Sequence, residues 1–242
     1  MRIAILIPAR DEAEALPHLF ESLGPERAAH TVVVDNGSRD ATAEVARAAG
    51  ARVVHEPRAG YGRACLAGIE SLRRAPPDAL VFLDADDFEA PGQFEVLLRP
   101  LEDDRADLVI GEREASRGDG VRWHAQLGNR FVLAVMRRLY GAEIRDMGPF
   151  RAIRWTTLES LALDDTNYGW YVQMQVRALR AGTRVRGAPV RFERRTVGRS
   201  KVSGSLLASF RAGWVMLRTL FVEAARRYPP GTGPRPVTGE RT

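Results

Sequence analysis

The sequence predicts an α/β fold in which a doubly wound, mostly parallel β-sheet is flanked by helices. In the first 111 residues, short apolar segments alternate with segments whose apolar residues recur at helical spacing. The short segments are continuously apolar, as in "TVVVD" and "ALVFLD", which is typical of parallel strands buried on both faces. Strands and helices that alternate in this way indicate a doubly wound architecture.

Five strands and four helices are expected in this first part of the chain. β-Branched and aliphatic residues dominate the strands, and the second helix has Asp40 as its expected N-cap and Gly50 at its end. The expected strands are residues 2–8, 31–35, 51–56, 79–84 and 106–111, and the expected helices are residues 12–23, 40–50, 62–75 and 91–101.

The pattern changes after residue 111. A charged, aperiodic loop, a turn-like segment and a basic loop rich in glycine and serine separate the remaining helices and one further strand. In order, we expect a loop at 112–122, a helix at 123–141, a turn-like segment at 146–154, a helix at 167–182, a strand at 183–193, the basic loop at 194–205 and an amphipathic helix at 205–228. Residues 1–228 are therefore expected to form a single domain, and the proline- and glycine-rich residues 229–242 a disordered tail.

Composition and charge narrow the class of protein. A hydrophobic content of 45% with 28% charged residues is ordinary for a soluble globular protein. Cys65 is the only cysteine, which excludes an internal disulfide and favours a reducing compartment. The start "MRIAILIPARDE" has the character of a first strand and not of a signal peptide, and no apolar run reaches the ~18 residues of a membrane span. We therefore expect a cytoplasmic protein.

The net charge of +5 favours an anionic partner. Phosphorylated small molecules and anionic lipid surfaces both satisfy this requirement. No nucleic-acid recognition motif occurs in the sequence, so binding to nucleic acid is not expected. The final amphipathic helix carries apolar residues and arginines, so it can either pack on the core or lie in an anionic membrane surface at the inner face of the membrane.

Ligands of open α/β sheets bind beyond the carboxyl ends of the strands. The residues that follow the expected strands combine acids, glycines and arginines around one crevice. Asp35 either belongs to a turn or accepts hydrogen bonds from a nucleobase or ribose. The segment "GYGRA" lacks the third glycine of a dinucleotide-binding fingerprint, because Cys65 occupies that place.

Three acids follow the fourth expected strand in "LDADDFEAP". Asp84 and Asp86 are two residues apart, so in an extended chain their carboxylates point to the same side. Hard oxygen ligands of this kind suit Mg²⁺ or Mn²⁺ bound together with substrate phosphates. The alternative is a solvated acidic turn in front of a helix that begins near Pro91.

The basic loop offers a countercharge for bound phosphates. It contains "RRTVGRSKVSG", and Lys201 in it is the only lysine among 36 basic residues. A cationic loop that closes over a diphosphate would supply the charge that a metal leaves unneutralised. The alternative is an ordinary solvated basic loop.

Together, these strand-end acids, the D-A-D cluster and the R-x-x-G-x-S-K loop resemble glycosyltransferase family 2, and within it bacterial relatives of dolichyl-phosphate mannose synthase, which have a GT-A fold. "IPARDEAEAL" is similar to the family's opening P-x-x-N-E segment with Asp11 in place of Asn, and "VVVDNGSRDAT" to V-D-D-G-S-x-D-x-T with Asn36 in place of the second Asp. "GYGRACLAGI" resembles the G-x-G-x-A segment, "FLDADDFEAP" the D-x-D site, and "LGNR" and "DMGPFRAIR" the acceptor-side segments. The resemblance spans residues 2–217.

The resemblance implies metal-dependent transfer of a sugar from a UDP- or GDP-sugar, with inversion at the anomeric carbon. The acceptor it implies is a polyprenyl phosphate or another phosphate-bearing molecule. Residues 1–111 would then be the nucleotide-binding half, and residues 112–204 the acceptor-side half with the phosphate-contacting loop. Mg²⁺ or Mn²⁺ is the expected cofactor.

The resemblance also implies roles for individual residues. The donor would be bound by Pro8, Ala9, Arg10, Glu12, Asp35, Gly60, Arg63, Asp84, Ala85, Asp86, Arg195, Ser200 and Lys201. Asp86, Arg195 and Lys201 would be catalytic, and Asp84 and Asp86 would bind the metal, with Asp87 as a third candidate ligand. Arg113, Asn129, Asp146 and Arg151 would lie on the acceptor side.

Two departures from the family pattern bear on function. Phe88 stands where polyprenyl-phosphate synthases have a glutamine near the metal. Gln173 and Gln175 occupy the helix in which many members carry an acid that faces the acceptor, so a hydroxyl acceptor would need Asp164 or Asp165 as its base. An ionised phosphate acceptor needs no base. The alternatives are a soluble glycosyltransferase that acts on a small metabolite, and a nucleotide-sugar-binding protein with impaired catalysis.

Overall fold

The computed structural model describes residues 1–85, 93–113, 123–141, 144–191 and 206–226, except for the side chains of residues 123–131 and 206–212. Seven strands and eight helices lie within these ranges. In chain order they are β1 (Ile3–Ala9), α1 (Leu16–Ala29), β2 (Thr31–Asp35), α2 (Thr42–Ala48), β3 (Arg52–His55), α3 (Tyr61–Leu72), β4 (Ala79–Phe82), α4 (Gln93–Glu102), β5 (Leu108–Arg113), α5 (Trp123–Tyr140), β6 (Arg151–Arg154), α6 (Trp155–Ser160), α7 (Trp170–Arg180), β7 (Val185–Val190) and α8 (Leu206–Ala225).

The seven strands form one sheet in the order β3-β2-β1-β4-β6-β5-β7. Strand β6 runs antiparallel to both of its neighbours, and every other pair is parallel. This arrangement confirms the predicted mostly parallel sheet with flanking helices. It also brings the strands of the later part of the chain into the same sheet as the first four.

Helices cover both faces of the sheet, which explains why the sequence of strand β1 is continuously apolar. Ile5 and Ile7 point into a core formed with α1, α2 and α4, whereas Leu6 points into a second core formed with α3, α5, α7 and α8. Each side chain of β1 therefore meets a helix layer, whichever face of the sheet it is on.

The interpretation of residues 146–154 as turn-like is wrong for its second half. Residues 151–154 form the antiparallel strand β6 in the middle of the sheet, and the short helix α6 follows directly. The strand is short and has an arginine at each end, so it has no apolar alternation. Arg151 is nevertheless fully buried, because the carbonyl oxygens of Gly148 and Met147 accept its guanidinium hydrogens.

Several helix and strand ends differ from the expected ones. Helix α1 begins at Leu16 and is interrupted at Gly24 (φ 74°), where a left-handed residue precedes Pro25. The N-cap of α2 is Ala41, and Asp40 instead accepts a hydrogen bond from the Thr42 N–H at 3.0 Å. Strand β5 extends to Arg113, so the loop predicted from residue 112 begins later.

The C-terminal helix α8 is amphipathic, as predicted, and is attached to α7 through buried charges. Glu223 accepts hydrogen bonds from the Arg177 guanidinium at 2.9 and 3.0 Å, and both side chains are almost completely buried. Leu220 is buried in the core, whereas Trp214 is exposed. Within the described ranges, no helix is long and apolar enough to cross a membrane.

The start of α3 packs unusually closely on the segment that precedes α7. A Cβ atom at Gly62 would collide with the carbonyl oxygen of Asp165, and one at Gly60 with the carbonyl oxygen of Thr166. The Arg63 N–H donates to the same Thr166 oxygen at 3.2 Å. The two glycines of "GYG" are therefore required by this contact between two backbones.

Gly62→Ala should lower the free energy of unfolding by about 2–3 kcal/mol, because the new methyl group meets backbone that cannot move without disturbing α7. Gly213→Ala is the matched control. Gly213 also lies in a helix, but a Cβ there meets no described atom within 4 Å, so its stability should rise by up to about 1 kcal/mol. Urea denaturation measures both values. Equal stability of the two variants would contradict the close approach.

Candidate active site

The ends of β1, β2, β3 and β4 lie at one edge of the sheet, because these strands are neighbours and parallel. Ala9 pairs with Asp35, and Asp35 with His55. Asp84 follows β4 at the same edge. The structure therefore brings together the donor-side residues Pro8, Ala9, Arg10, Glu12, Asp35, Asp84 and Ala85, of which Arg10 is exposed and Ala9, Asp35 and Ala85 are buried.

The loops that follow β1 and β2 are joined by hydrogen bonds between backbone amides and side chains. The Asp11 N–H donates to Ser38 Oγ at 3.0 Å, and the Glu12 N–H to Thr42 Oγ1 at 2.9 Å. The Ala13 N–H donates to Asp40 Oδ2 at 3.0 Å. Much of the "DNGSRDAT" motif therefore shapes the first loop of the site.

Asp35 is buried at the end of β2 and is held from two sides. Its Oδ1 accepts a hydrogen bond from the Ser38 N–H at 2.9 Å, and its Oδ2 lies 3.1 Å from Nδ1 of His55. His55 itself is largely exposed. A carboxylate fixed in this way at the edge of the crevice suits recognition of a polar group such as a base or a ribose.

Asn36 joins the end of β2 to the loop in front of α3. Its Nδ2 donates to the carbonyl oxygens of Glu56 and Arg58 at 2.9 and 2.8 Å, and its Oδ1 accepts from the Gly60 N–H at 2.9 Å. An aspartate could not donate these two bonds. The departure from the family's second Asp thus has a structural role here.

Glu56 and Arg58 stabilise the same loop. The bidentate hydrogen bonds of the Arg58 guanidinium, together with the Arg58 N–H, lower the pKa of Glu56 to about 2. Arg63 is half-buried on the first turn of α3, and its charge contributes in the same direction.

Asp84 accepts a hydrogen bond from a half-buried tyrosine. The Tyr61 hydroxyl donates to Asp84 Oδ1 at 2.5 Å, and the Tyr171 hydroxyl contacts the Tyr61 hydroxyl. Burial, together with the charge of Asp84, raises the pKa of both phenols well above its usual value. The Arg151 guanidinium lies 3.9 Å from the centre of the Tyr171 ring.

The predicted acceptor-side residues Arg113 and Asp146 form an ion pair. The Arg113 guanidinium donates to both carboxylate oxygens of Asp146, at 2.6 and 2.9 Å. Burial of Asp146 opposes its ionisation, but these hydrogen bonds and the arginine charge outweigh burial and lower its pKa. Arg151 is fully buried beneath them, and the side chain of Asn129 lies outside the described part.

Gln173 and Asp164 belong to the buried network around Glu223. Gln173 Nε2 donates to Asp164 Oδ1 at 2.8 Å and to Glu223 Oε1 at 3.0 Å. The guanidinium groups of Arg177 and Arg226 donate to the Asp164 carboxylate at 2.6 and 2.9 Å. Partial burial of Asp164 opposes its ionisation, but the two arginines outweigh burial and lower its pKa. These polar groups thus bind one another at the junction of α7 and α8.

Gln175 and Asp165 differ from Gln173 and Asp164: the amide of Gln175 lacks hydrogen bonds to described residues, and the pKa of Asp165 is raised. Gln175 is fully buried, and neither atom of its amide has a hydrogen-bond partner within the described ranges. Burial and the nearby negative charges of Asp164 and Glu223 raise the pKa of Asp165, whose Oδ1 accepts from the Asn167 N–H at 2.7 Å.

The predicted metal ligands Asp86 and Asp87, and the basic-loop residues Arg195, Ser200 and Lys201, lie outside the described residues, as does Phe88. In the part that is described, no three His, Cys, Asp or Glu side chains form a group that could hold a metal ion. Asp84 is therefore the one predicted ligand whose surroundings are described. Its place at a strand end fits a metal that is held by one or two carboxylates and by substrate phosphates.

Sequence reasoning did not single out Tyr61, Tyr171, His55 or Glu223. Tyr61 stands inside the "GYG" segment, in which the two glycines are the residues that match the family's G-x-G-x-A pattern. Tyr171 and Glu223 lie on helices of amphipathic sequence, in which a polar residue is normally solvated. The only signal available for Glu223 is that it is the single acid in α8.

The fold is a mostly parallel α/β sheet with polar residues gathered at the ends of its strands, and comparison with known proteins identifies the family. The family described as "Glycosyl transferase family 2" matches residues 4–161, so the chain belongs to glycosyltransferase family 2 and is a glycosyltransferase. An uncharacterized glycosyltransferase of Mycobacterium tuberculosis is 37% identical over 207 residues, which cover 86% of this chain and 92% of that protein.

Two further relatives have more specific names. The undecaprenyl-phosphate mannosyltransferase of Micrococcus luteus is 34% identical over 225 residues, covering 86% of this chain and 90% of that protein. The polyprenol monophosphomannose synthase of Mycolicibacterium smegmatis is 34% identical over 221 residues, covering 84% and 82%. Among solved structures, glucosyl-3-phosphoglycerate synthase of Mycobacterium tuberculosis with Mn²⁺, UDP and glucosyl-3-phosphoglycerate has a TM-score of 0.76 and 23% identity, covering 94% of this chain and 81% of that one. This last likeness confirms the GT-A fold.

Asn36→Asp should destabilise the protein by about 2–4 kcal/mol at pH 7, because it removes two donors and places a carboxylate against two carbonyl oxygens. Thermal and urea denaturation measure the loss. Asn36→Ala, which removes the amide without adding charge, should be less damaging than Asn36→Asp. An aspartate variant as stable as the wild type would show that the Asn36 bonds do not hold this loop.

Proposed function

We propose that this glycosyltransferase uses a divalent metal to transfer a sugar, with inversion, from a UDP- or GDP-sugar to a phosphate-bearing acceptor, and that the acceptor is a polyprenyl phosphate. The observation that carries the choice of acceptor is the buried network that engages Gln173 and Asp164. Gln173 stands where many family members carry an acid that faces the acceptor, and Asp164 is one of the two aspartates that could serve as the base for a hydroxyl acceptor.

The donor half of the proposal is supported by the strand-end crevice. Asp35 is fixed for recognition of the nucleoside, and the neighbouring loops of Arg10 and Glu12 are joined to it through side-chain hydrogen bonds. Asp84 would face the ribose or the metal, together with Asp86. Arg195, Ser200 and Lys201 would contact the diphosphate.

Mn²⁺ or Mg²⁺ is proposed as the cofactor. Solved structures of glucosyl-3-phosphoglycerate synthase contain Mn²⁺ or Mg²⁺ together with UDP. Such a cation would be held by Asp84 and Asp86 and would supply positive charge to stabilise the negative charge that develops on the leaving group. The acids Asp84 and Asp86, with Asp87 as a third candidate, provide the oxygen ligands that these metals prefer.

The acceptor half rests on the lack of a suitable base in α7. This helix contains no Asp or Glu, Gln173 is buried, and the Asp164 carboxylate is paired with Arg177 and Arg226. A carboxylate whose pKa is lowered by arginines accepts a proton poorly. A phosphate acceptor is already ionised near pH 7 and has no proton to lose at this step.

The proposed reaction is a single displacement. An oxygen of the acceptor phosphate forms a bond to the anomeric carbon, while the bond from that carbon to the diphosphate oxygen breaks. The electron pair leaves with the nucleoside diphosphate, and because the acceptor oxygen attacks the face opposite the breaking bond, the configuration of the anomeric carbon is inverted. The two polyprenyl-phosphate relatives, each 34% identical over most of their length, support the lipid phosphate as acceptor and mannose as the sugar.

A second candidate function is transfer to a hydroxyl group of a small phosphorylated metabolite. One observation favours it: Asp165, next to the start of α3, has a raised pKa, and a raised pKa makes a carboxylate a better base. The structural likeness to a synthase that was solved with phosphoglyceric acid agrees with this candidate.

A nucleotide-binding assay tests the donor and the metal. UDP or GDP with Mn²⁺, at about 100-fold excess over Kd, should raise the melting temperature by about 5–10 °C. Asp86→Ala and Asp84→Ala should each remove the metal-dependent part of this rise, because each loses a proposed ligand.

Asp103→Ala is the matched control, since Asp103 is an exposed acid in the loop after α4. It should respond to metal and nucleotide like the wild type. If Asp86→Ala binds Mn²⁺ and turns over normally, the proposed metal site is wrong. If neither nucleotide stabilises the wild type, the proposed donor is wrong. Binding without any transfer or hydrolysis would favour a binding protein with impaired catalysis.

A polyprenyl-phosphate acceptor lies in a membrane, and α8 has a face suited to a bilayer that contains anionic lipids. Trp214, Phe221 and Val222 are 69%, 55% and 48% exposed, and Arg218 lies exposed on the same side at helical spacing. The one acidic residue of α8, Glu223, is turned inward to Arg177, so it adds no negative charge to this face. Apolar rings with an interspersed cation are typical of helices at a membrane surface.

The combined variant Trp214→Ala/Phe221→Ala should bind anionic phosphatidylglycerol vesicles at least about tenfold more weakly than the wild type, since each buried aromatic ring contributes about 1.5–3 kcal/mol. Co-sedimentation measures this affinity. Leu139→Ala, which truncates an exposed leucine of α5, should not change it. With a short-chain polyprenyl phosphate in the absence of vesicles, all three proteins should transfer sugar equally. A wild-type protein that does not bind vesicles but glycosylates a small phosphorylated metabolite would establish the second candidate function instead.

A further inference from the structure

We propose that Tyr61 and Tyr171 are positioning residues that hold the carboxylate of Asp84 in a single orientation. The inference rests on the proposed function, in which Asp84 is a ligand of the metal, and it adds two residues to that site. Tyr61 occupies a position of the "GYGRACLAGI" segment that the G-x-G-x-A pattern leaves open, and Tyr171 lies outside the segments that carry the family resemblance.

The three side chains form a hydrogen-bond chain with a fixed direction. Tyr61 donates its single hydroxyl proton to Asp84 Oδ1 at 2.5 Å. Because a phenol has only one proton to donate, the contact between the two hydroxyls requires Tyr171 to donate to Tyr61. The order is therefore Tyr171 to Tyr61 to Asp84, and of the two tyrosines it is Tyr61 that donates to the carboxylate.

Both tyrosine rings are themselves held in place. Tyr61 stands between Gly60 and Gly62, whose backbone packs against the segment before α7. The Tyr171 ring lies 5.3 Å from the Tyr61 ring at an angle of 58°, and the Arg151 guanidinium covers it. Arg151 in turn is fixed by backbone carbonyl oxygens. The rings therefore cannot follow a movement of the carboxylate.

This rigidity is what makes the contact a positioning device. The Asp84 carboxylate is partly exposed at the end of a strand, and an aspartate side chain has several rotamers. The hydrogen bond from Tyr61 to the ionised carboxylate is charge-assisted, so it favours the rotamer that accepts it. A ligand that binds the oriented carboxylate does not have to order it first, so its affinity rises.

Carboxyl ¹³C NMR of the ligand-free protein tests the contact directly. Tyr61→Phe should move the Asp84 resonance, since it removes the donor but keeps the ring. Tyr171→Phe should move it less, and the double variant should resemble Tyr61→Phe, because the chain is already broken there. Tyr140→Phe is the control: its hydroxyl is also buried but has no hydrogen-bond partner among the described residues.

Mn²⁺ titration at saturating UDP or GDP tests the consequence. Tyr61→Phe should need about tenfold more Mn²⁺ for half of the metal-dependent rise in melting temperature, as expected when a group that orients a ligand is lost. Tyr171→Phe should show a smaller increase. Nucleotide binding without metal should stay at the wild-type level, which a general loss of structure would not allow.

An Asp84 resonance that is the same in wild type, Tyr61→Phe and Tyr171→Phe would overturn the inference. So would an unchanged Mn²⁺ requirement in Tyr61→Phe when the wild type shows one. If the resonance moves as expected but the wild type shows no response to Mn²⁺, the tyrosines still hold Asp84, and it is the proposed metal-dependent function that fails. If Tyr61→Phe does not fold, Tyr171→Phe decides by the same two measurements.

Discussion

The close contact between the start of α3 and the segment before α7 is the constraint on which the site depends. Two glycines let the backbones meet, and Tyr61 between them reaches both Asp84 and Tyr171. A strand-end acid of the first half of the chain is thereby connected to a helix of the second half. A larger residue in place of either glycine would collide with the backbone of that segment.

A second set of contacts, the buried charges between α7 and α8, decides what α7 can offer to an acceptor. Arg177 and Glu223 are almost completely buried, and such a pair is stable only when all of its hydrogen bonds are satisfied. Gln173 and Asp164 supply further partners, together with Arg226 and the carbonyl oxygen of Leu161. Groups that satisfy a structural ion pair are poor candidates for proton transfer. The same network turns the only acid of α8 inward, which leaves Trp214 and Phe221 outside beside a cation.

Much of the fold could be predicted from the sequence, because parallel strands buried on both faces give short apolar runs that are easy to recognise. Residues 31–35 form a strand with the expected bounds, and the strand-end rule placed Asp35 and Asp84 at one edge of the sheet. Strand β6 was missed, since four residues with an arginine at each end have no strand periodicity. Arg151 is buried there only because carbonyl oxygens of its own loop are available to it.

The sequence by itself determined the family and the placement of Asp35 and Asp84 at the ends of strands, because these depend on local patterns and on motifs in a fixed order. Only the tertiary structure decided which polar groups meet. Tyr61 and Tyr171 are 110 residues apart, and Gln173 and Glu223 are 50 apart. No local pattern records such pairs, since the partner of a buried hydroxyl or charge is chosen by how helices pack on the sheet. For the same reason, the sequence shows Asn36 only as a replacement of the family's second aspartate, whereas in the folded chain Asn36 donates hydrogen bonds to two backbone carbonyl oxygens.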